Sequence, residues 1–279
     1  MNRSLIRTAF VASLSVILGL SARLGHATIT LNQVDTFQTG STLEWAGNAS
    51  PTNIPAGGRD GALDGFLQIN SVNFHLATFN QTQWVGDYTA AGIEAIELDM
   101  NHLAGDPVGI RLYILGAGGT FASTAFKPIA DATWKRYQFG LAATDLTGLD
   151  GGGNLATTLA AVSKILIRYN VAPLPTPTIG QADITGTLGI DNIRAITYGD
   201  VNYDGVVNIF DINLVSSHWN ESGPTADANA DGIVNIFDIN LISANWTPAG
   251  GSAVPEPASL SLAAIGVIGF VALRRRLRA

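Results

Sequence analysis

Two short stretches of the chain place oxygen-bearing side chains at one repeated spacing. The first comprises Asp200, Asn202, Asp204, Gly205, Val206, Asn208 and Asp211, and the second Asp227, Asn229, Asp231, Gly232, Ile233, Asn235 and Asp238. Counted from the leading Asp, oxygen side chains stand at positions 1, 3, 5, 9 and 12 of both. A loop winding round an ion turns every second side chain towards it, and calcium takes about six to eight hard oxygen ligands. Position 6 must turn sharply, hence Gly205 and Gly232. Position 7 lends only its backbone carbonyl, so Val206 and Ile233 cost nothing there, while Asn208 and Asn235 at position 9 act through water. Where an EF-hand carries a bidentate Glu at position 12, these loops have the shorter Asp211 and Asp238. The expected cofactor is two calcium ions, one per loop.

The loops belong to a longer repeat. Residues 200–220 laid over residues 227–247 agree at 14 of 21 positions without a gap, a period of 27. Residues 199–246 contain seven acids and no Lys or Arg, so without cations the segment repels itself, and calcium is expected to be a folding ligand. Behind each loop an Ile-Asn-Leu run leads to Trp219 or Trp246, with apolar residues at near-helical spacing and the loop Asp able to cap the first turn. Each unit therefore reads as a loop followed by one helix.

Two tandem loop-helix units of this kind resemble a type I dockerin over residues 199–247. The resemblance implies two calcium ions and docking onto a cohesin-like protein, typically in assemblies that degrade polysaccharides. In that family positions 10 and 11 are often Ser-Thr, and the helix carries a Lys-Arg pair. Here those positions are Ile209-Phe210 and Ile236-Phe237, and neither helix has a basic residue. An apolar docking patch displayed twice is one reading. The favoured expectation is that Phe210 and Phe237 pack the core of a very small module, because small modules are short of apolar burial.

The rest of the chain must position and deliver these loops. It has 279 residues with 15 Lys and Arg against 22 Asp and Glu, but seven of the Arg lie in the two ends. Residues 28–253 hold 8 basic and 21 acidic residues, net −13, which excludes nucleic acid as a partner, since phosphate backbones need clustered cations. The absence of Cys rules out disulfides, thiolate zinc sites and iron–sulfur clusters.

Residues 1–27 combine Arg3 and Arg7, an apolar run and a small-residue cleavage site at Gly25-His26-Ala27, which predicts a secretory signal peptide. At the other end, a linker over residues 248–253 precedes Pro255-Glu256-Pro257, the apolar residues 260–273, and Arg274, Arg275 and Arg276. Fourteen helical residues span about 21 Å, short of the roughly 30 Å hydrocarbon core, and the arginines place the protein's middle on the outer face. Residues 254–279 look like a PEP-CTERM sorting tail. That resemblance implies an exosortase that recognises the tail and cleaves near Pro255 to Pro257, contact with the membrane through the tail, and delivery to the cell envelope or extracellular matrix.

Between these parts, residues 28–198 show period-2 alternation: Ile96, Leu98 and Met100; Val108, Ile110, Leu112 and Ile114; Tyr137 and Phe139; Ile165, Ile167 and Tyr169. Gly, Pro, Asn and Asp clusters separate the runs, so the expected fold is a mainly β chain, an antiparallel β-sandwich followed by the small α-helical calcium module. Only residues 155–163 read as helix. The order of elements, with Gly189-Ile190-Asp191-Asn192-Ile193 as the final strand, is similar to galactose-binding-like jelly rolls, which implies binding of a glycan or matrix component.

Trp45, Trp84 and Tyr88 are the named candidates for glycan contact, with Tyr113 and Trp134 beside them, because a flat ring stacks on a pyranose face. No catalytic residue set emerges. Glu94 and Glu97 fall on opposite faces of a strand, His75 and His102 are isolated, and Asp60 and Asp64 suit a structural calcium or plain solvation. The expectation is a non-catalytic, surface-sorted protein associated with extracellular polysaccharide. The alternative is a polysaccharide-degrading enzyme or accessory subunit docked through the repeat.

Overall fold

The computed structural model describes residues 28–149, 153–170 and 183–247. The expected signal peptide and sorting tail, with its membrane helix, lie outside them. Among the described residues no helix is long and apolar enough to cross a membrane.

Two six-stranded antiparallel sheets face each other as a jelly-roll sandwich. The first runs β2 (Thr52–Ile54), β3 (Phe66–Phe74), β12 (Ile184–Ile196), β5 (Ala95–Gly105), β9 (Lys135–Gly140), with β1 (Val34–Asp35) also on β12. The second runs β10 (Leu146–Gly148), β7 (Gly119–Ser123), β6 (Val108–Gly116), β11 (Val162–Tyr169), β4 (Ala77–Asn80), with β8 (Lys127–Ile129) on β6. Strand alternation turns Leu67, Ile69, Ile96, Leu98 and Met100 of one sheet onto Ile110, Leu112, Ile114, Ile165 and Ile167 of the other, all fully buried. The helix expected over 155–163 is shorter: α1 (Leu155–Leu159) is capped by Asn154 and stops, because Val162, Ile165 and Ile167 are needed in β11.

The three rings named as glycan contacts are not on the surface. Trp45, Trp84 and Tyr88 are at most 2% exposed. The indole Nε1 groups of Trp45 and Trp84 donate to the same oxygen of buried Asp35, at 2.7 and 2.8 Å, and Gln83 donates to Asp35 as well. Burial pushes the Asp35 carboxyl up from its ordinary pKa, and these donors work against that push. Their polar atoms hold β1 against two loops instead of meeting solvent. Asp35→Ala strands two buried indole donors, so thermal melting should show a loss of about 2 kcal/mol and a Tm several degrees lower.

The outward side chains of the first sheet are also buried. Glu97 and Asp99 face away from the core, opposite Gln138 and Arg136 of β9, yet are 3% and 0% exposed. The cover is the helical module, comprising α2 (Ile209–Ser217) and α3 (Ile236–Ala244) with their preceding loops.

Candidate metal centre

Each helix begins at its loop's position 9. Asn208 and Asn235 are N-caps, accepting from the backbone of Phe210 and Phe237, and Asp211 and Asp238 reach back to the N–H of that Asn at 2.8 and 2.7 Å, completing capping boxes. The position-12 carboxylates thus tie loop to helix. Asp211 also accepts from the N–H of Val201 and Asn202, and Asp238 from that of Asn229. At the loop head both oxygens of Asp200 accept from the backbone of Asp204 and Gly205, and Asn202 donates to Asp204 at 3.0 Å. Asp227, Asn229 and Asp231 repeat this arrangement.

The sharp turn expected at position 6 is present, with Gly205 at φ +86° and Gly232 at φ +95°. Val206 and Ile233 expose their side chains, as residues lending only a carbonyl can. Among the described residues no three acid or imidazole groups gather as a ready cage. The donor set nevertheless fits calcium. Every group is a hard oxygen, each loop carries three acids, and the module has no cation of its own. Burial, together with the charges of Asp238 and Asp231, pushes Asp227 up to about 6, and burial likewise raises Asp211.

The two units complete each other. The carbonyls of Val207 and Val234, at position 8 of each loop, each accept from a backbone N–H three residues beyond the other unit's helix: Thr247 donates to Val207 and Asn220 to Val234, both at 2.9 Å. Both valines, with Val215, Ile242, Ala226 and Ala228, make a separate small core. Phe210 and Phe237 do not join it, contrary to expectation, and are 64% and 63% exposed. The capping box accounts for this. It turns Asp211 and Val215, one helical turn apart, inward, and leaves the two residues after the cap facing out.

The first loop also grips the sandwich. Tyr203, at position 4, has φ +59°, and its hydroxyl donates to Glu97 and accepts from Arg136, both at 2.8 Å. The Arg194 guanidinium lies 3.9 Å from the centre of its ring. Arg136 also donates to the Pro224 carbonyl, Gln138 to that of Ala228, and Asn32 to Asp200. Sequence reasoning missed this contact set. One signal was available: position 4 is Tyr203 in the first loop and Ala230 in the second, and a bulky residue at positive φ needs an anchor.

Of the acids left open between calcium and solvation, Asp64 is buried, not solvated. A Cβ at Gly58 would meet the Oδ2 atoms of Asp64 and Asp191 at 2.6 and 2.9 Å, so two buried carboxylates crowd this glycine. Burial, with the Asp64 charge adding to it, raises Asp191 to about 8. Backbone N–H groups of Arg59 and Asn192 donate to Asp191, and that of Asp60 donates to Asp64.

Fold and loops define a class: a jelly-roll sandwich carrying a pair of calcium-loop and helix units seated on one sheet. Residues 198–245 match the family model of the dockerin type I domain, and residues 253–276 that of the PEP-CTERM protein-sorting motif. Type I dockerin domains bind calcium. No curated protein matches the chain. Among solved structures, it is similar to an exo-β-agarase at 14% identity and TM-score 0.43, covering 59% of this chain and only 24% of that one. It is similar to the family 11 carbohydrate-binding module from Clostridium thermocellum, in complex with a β-1,3-1,4-mixed-linked tetrasaccharide, at 15% identity and TM-score 0.42, covering 61% and 97%. The tandem CBM22 domain of Paenibacillus barcinonensis Xyn10C is similar at 13% identity and TM-score 0.38, covering 61% and 46%. Such scores are too low to bear on ligand or activity.

Proposed function

We propose that the chain is an exported, surface-sorted, non-catalytic protein whose sandwich associates with extracellular polysaccharide. Its calcium-loaded module, with one ion per loop held by the residues at positions 1, 3, 5, 7, 9 and 12, docks onto a protein partner of the cohesin type. The tail directs the protein to an exosortase and the cell envelope. One observation carries the docking role: Ile209-Phe210 and Ile236-Phe237 stand at the starts of both helices with about half or more of their surface exposed, although the module's apolar core is small and could have used them. An exposed apolar pair of this kind is the ordinary mark of an interface. The partner's matching surface should be apolar too, where a partner of a Ser-Thr dockerin would be polar.

Calorimetry of the full chain against a panel of type I cohesins tests this. Binding is expected with calcium, none with chelator, and a loss of about tenfold or more in Phe210→Ala/Phe237→Ala, since buried aromatic anchors dominate interfaces. Binding that ignores both substitutions would refute the docking face.

A further inference from the structure

The seam between sandwich and module holds a cavity of about 530 Å³, of ligand-pocket size. One wall is sandwich, with Lys127, Trp134, Lys135 and Tyr137; the other is the turn and second loop, including Pro224, Asp231 and Gly232. Its charge is out of keeping with the rest of the protein. Residues 28–253 have only eight basic side chains, and Arg59, Lys127, Lys135 and Arg136, four of them, line this one cavity. Arg59 and Arg136 are engaged by Asp99 and Glu97, and Lys135 by Asp131. Lys127 lies 6.0 Å from the centre of the Phe139 ring, and among the described residues no carboxylate is within 4.0 Å of it. Lys127 stands between this cavity and a neighbouring one lined by Phe139 and Asp145, so its ammonium, which has no ion pair among the described residues, can serve either.

Trp134 supplies a fixed flat surface in the same cavity. The indole Nε1 donates to the Gly57 carbonyl at 3.1 Å, and the ring stands edge-on to Phe66 at 5.3 Å. A Cβ at Gly189 would come within 2.8 Å of the ring, so this glycine lets the indole lie close against the sheet. The ring remains partly exposed.

We propose that the seam cavity binds an anionic sugar unit of a polysaccharide, a uronate or a sulfate ester, stacked on Trp134 with its charge on Lys127. This deepens the reading of polysaccharide association and rests on it. One available ammonium matches one negative charge per sugar ring, whereas Asp227 and Asp231 on the far wall disfavour a polyphosphate. Because both modules form the walls, the site exists only while the calcium-loaded module is seated.

The test is calorimetry of the full chain in calcium with three probes: tetragalacturonate, a sulfated carrageenan tetrasaccharide and neutral galactotetraose. At least one acidic probe should bind about tenfold or more tightly than the neutral one, and salt should weaken it. The two acidic probes separate carboxylate from sulfate. Lys127→Ala and Trp134→Ala should each weaken binding about tenfold, while Lys127→Arg retains most of it. Equal affinity for acidic and neutral probes, or variants that leave affinity unchanged, would overturn the site. Neutral binding untouched by the variants would overturn it while leaving polysaccharide association standing, and no binding of any probe would count against both.

Discussion

Chelating calcium should cost the protein nearly all its α2 and α3 helix while leaving the sandwich folded. Each helix has nine residues, below the roughly 12–15 that an isolated helix needs in water. The core beneath them consists of two alanines and four β-branched side chains, too little to offset seven acids with no Lys or Arg among residues 199–246. At a calcium concentration about a thousand times Kd the ion contributes about 4 kcal/mol per site, on the scale of a small module's entire stability. Far-UV circular dichroism of the full chain, with calcium and then chelator, should lose its helical component. A spectrum indifferent to calcium would remove the metal centre. Asp204→Ala and Asp231→Ala should each lower the calcium stoichiometry by one site. Because Tyr203 belongs to the first loop, Asp204→Ala should also loosen the seam, read as faster hydrogen exchange in β5 and β9, and Asp231→Ala should do so less.

Arg136→Ala should be the most destabilising single substitution in the seam, at about 3–5 kcal/mol, because it leaves buried Glu97 without a cation and buried Asp99 with only the more distant Arg59 at 3.8 Å. The Arg136 guanidinium reaches Glu97 at 3.3 Å and Asp99 at 3.4 Å, and these side chains are 4% and 0% exposed. Burial raises the Asp99 carboxyl, and the charges of Arg136 and Arg59 oppose that rise. Without Arg136 the Asp99 carboxyl moves further up, so the folded variant holds a proton that its unfolded chain releases. Its stability should therefore fall as pH rises through the ordinary carboxylate range towards neutrality, and the gap to the parent should narrow in acid. Urea unfolding at pH 4.5 and 7.5 would show both effects. A loss below about 1 kcal/mol at the higher pH would mean that solvent reaches the acids when the arginine is gone.

Much of the architecture was legible because strand alternation and loop chemistry are local. Ile96, Leu98 and Met100 face the core as their period of two requires, and the turn glycines and capping boxes sit where the repeat of Asp, Asn and Gly put them. Local pattern assigns a residue to a face without saying what covers that face. Glu97 and Asp99 alternate with the core residues of β5, and are nevertheless buried because the module sits on them. By residue type alone Trp45 and Trp84 are open as glycan contacts, yet they are interior because Asp35 satisfies both indoles from within. Phe210 and Phe237 read as core and are exposed because the cap geometry turns the next helical face inward.

The sequence by itself determined the two oxygen-lined loops, the helices behind them and the sandwich strands, since each depends on contacts within a few residues or on simple periodicity. Only the tertiary structure decided which aromatics are available, that Tyr203 joins calcium loop to sandwich, and that four of eight basic side chains meet in one cavity. The Tyr203 contacts join groups 67 and 106 positions apart through the burial of one module's surface on the other's. Even the two indoles on Asp35 are 10 and 49 positions from it, too far for local pattern to show.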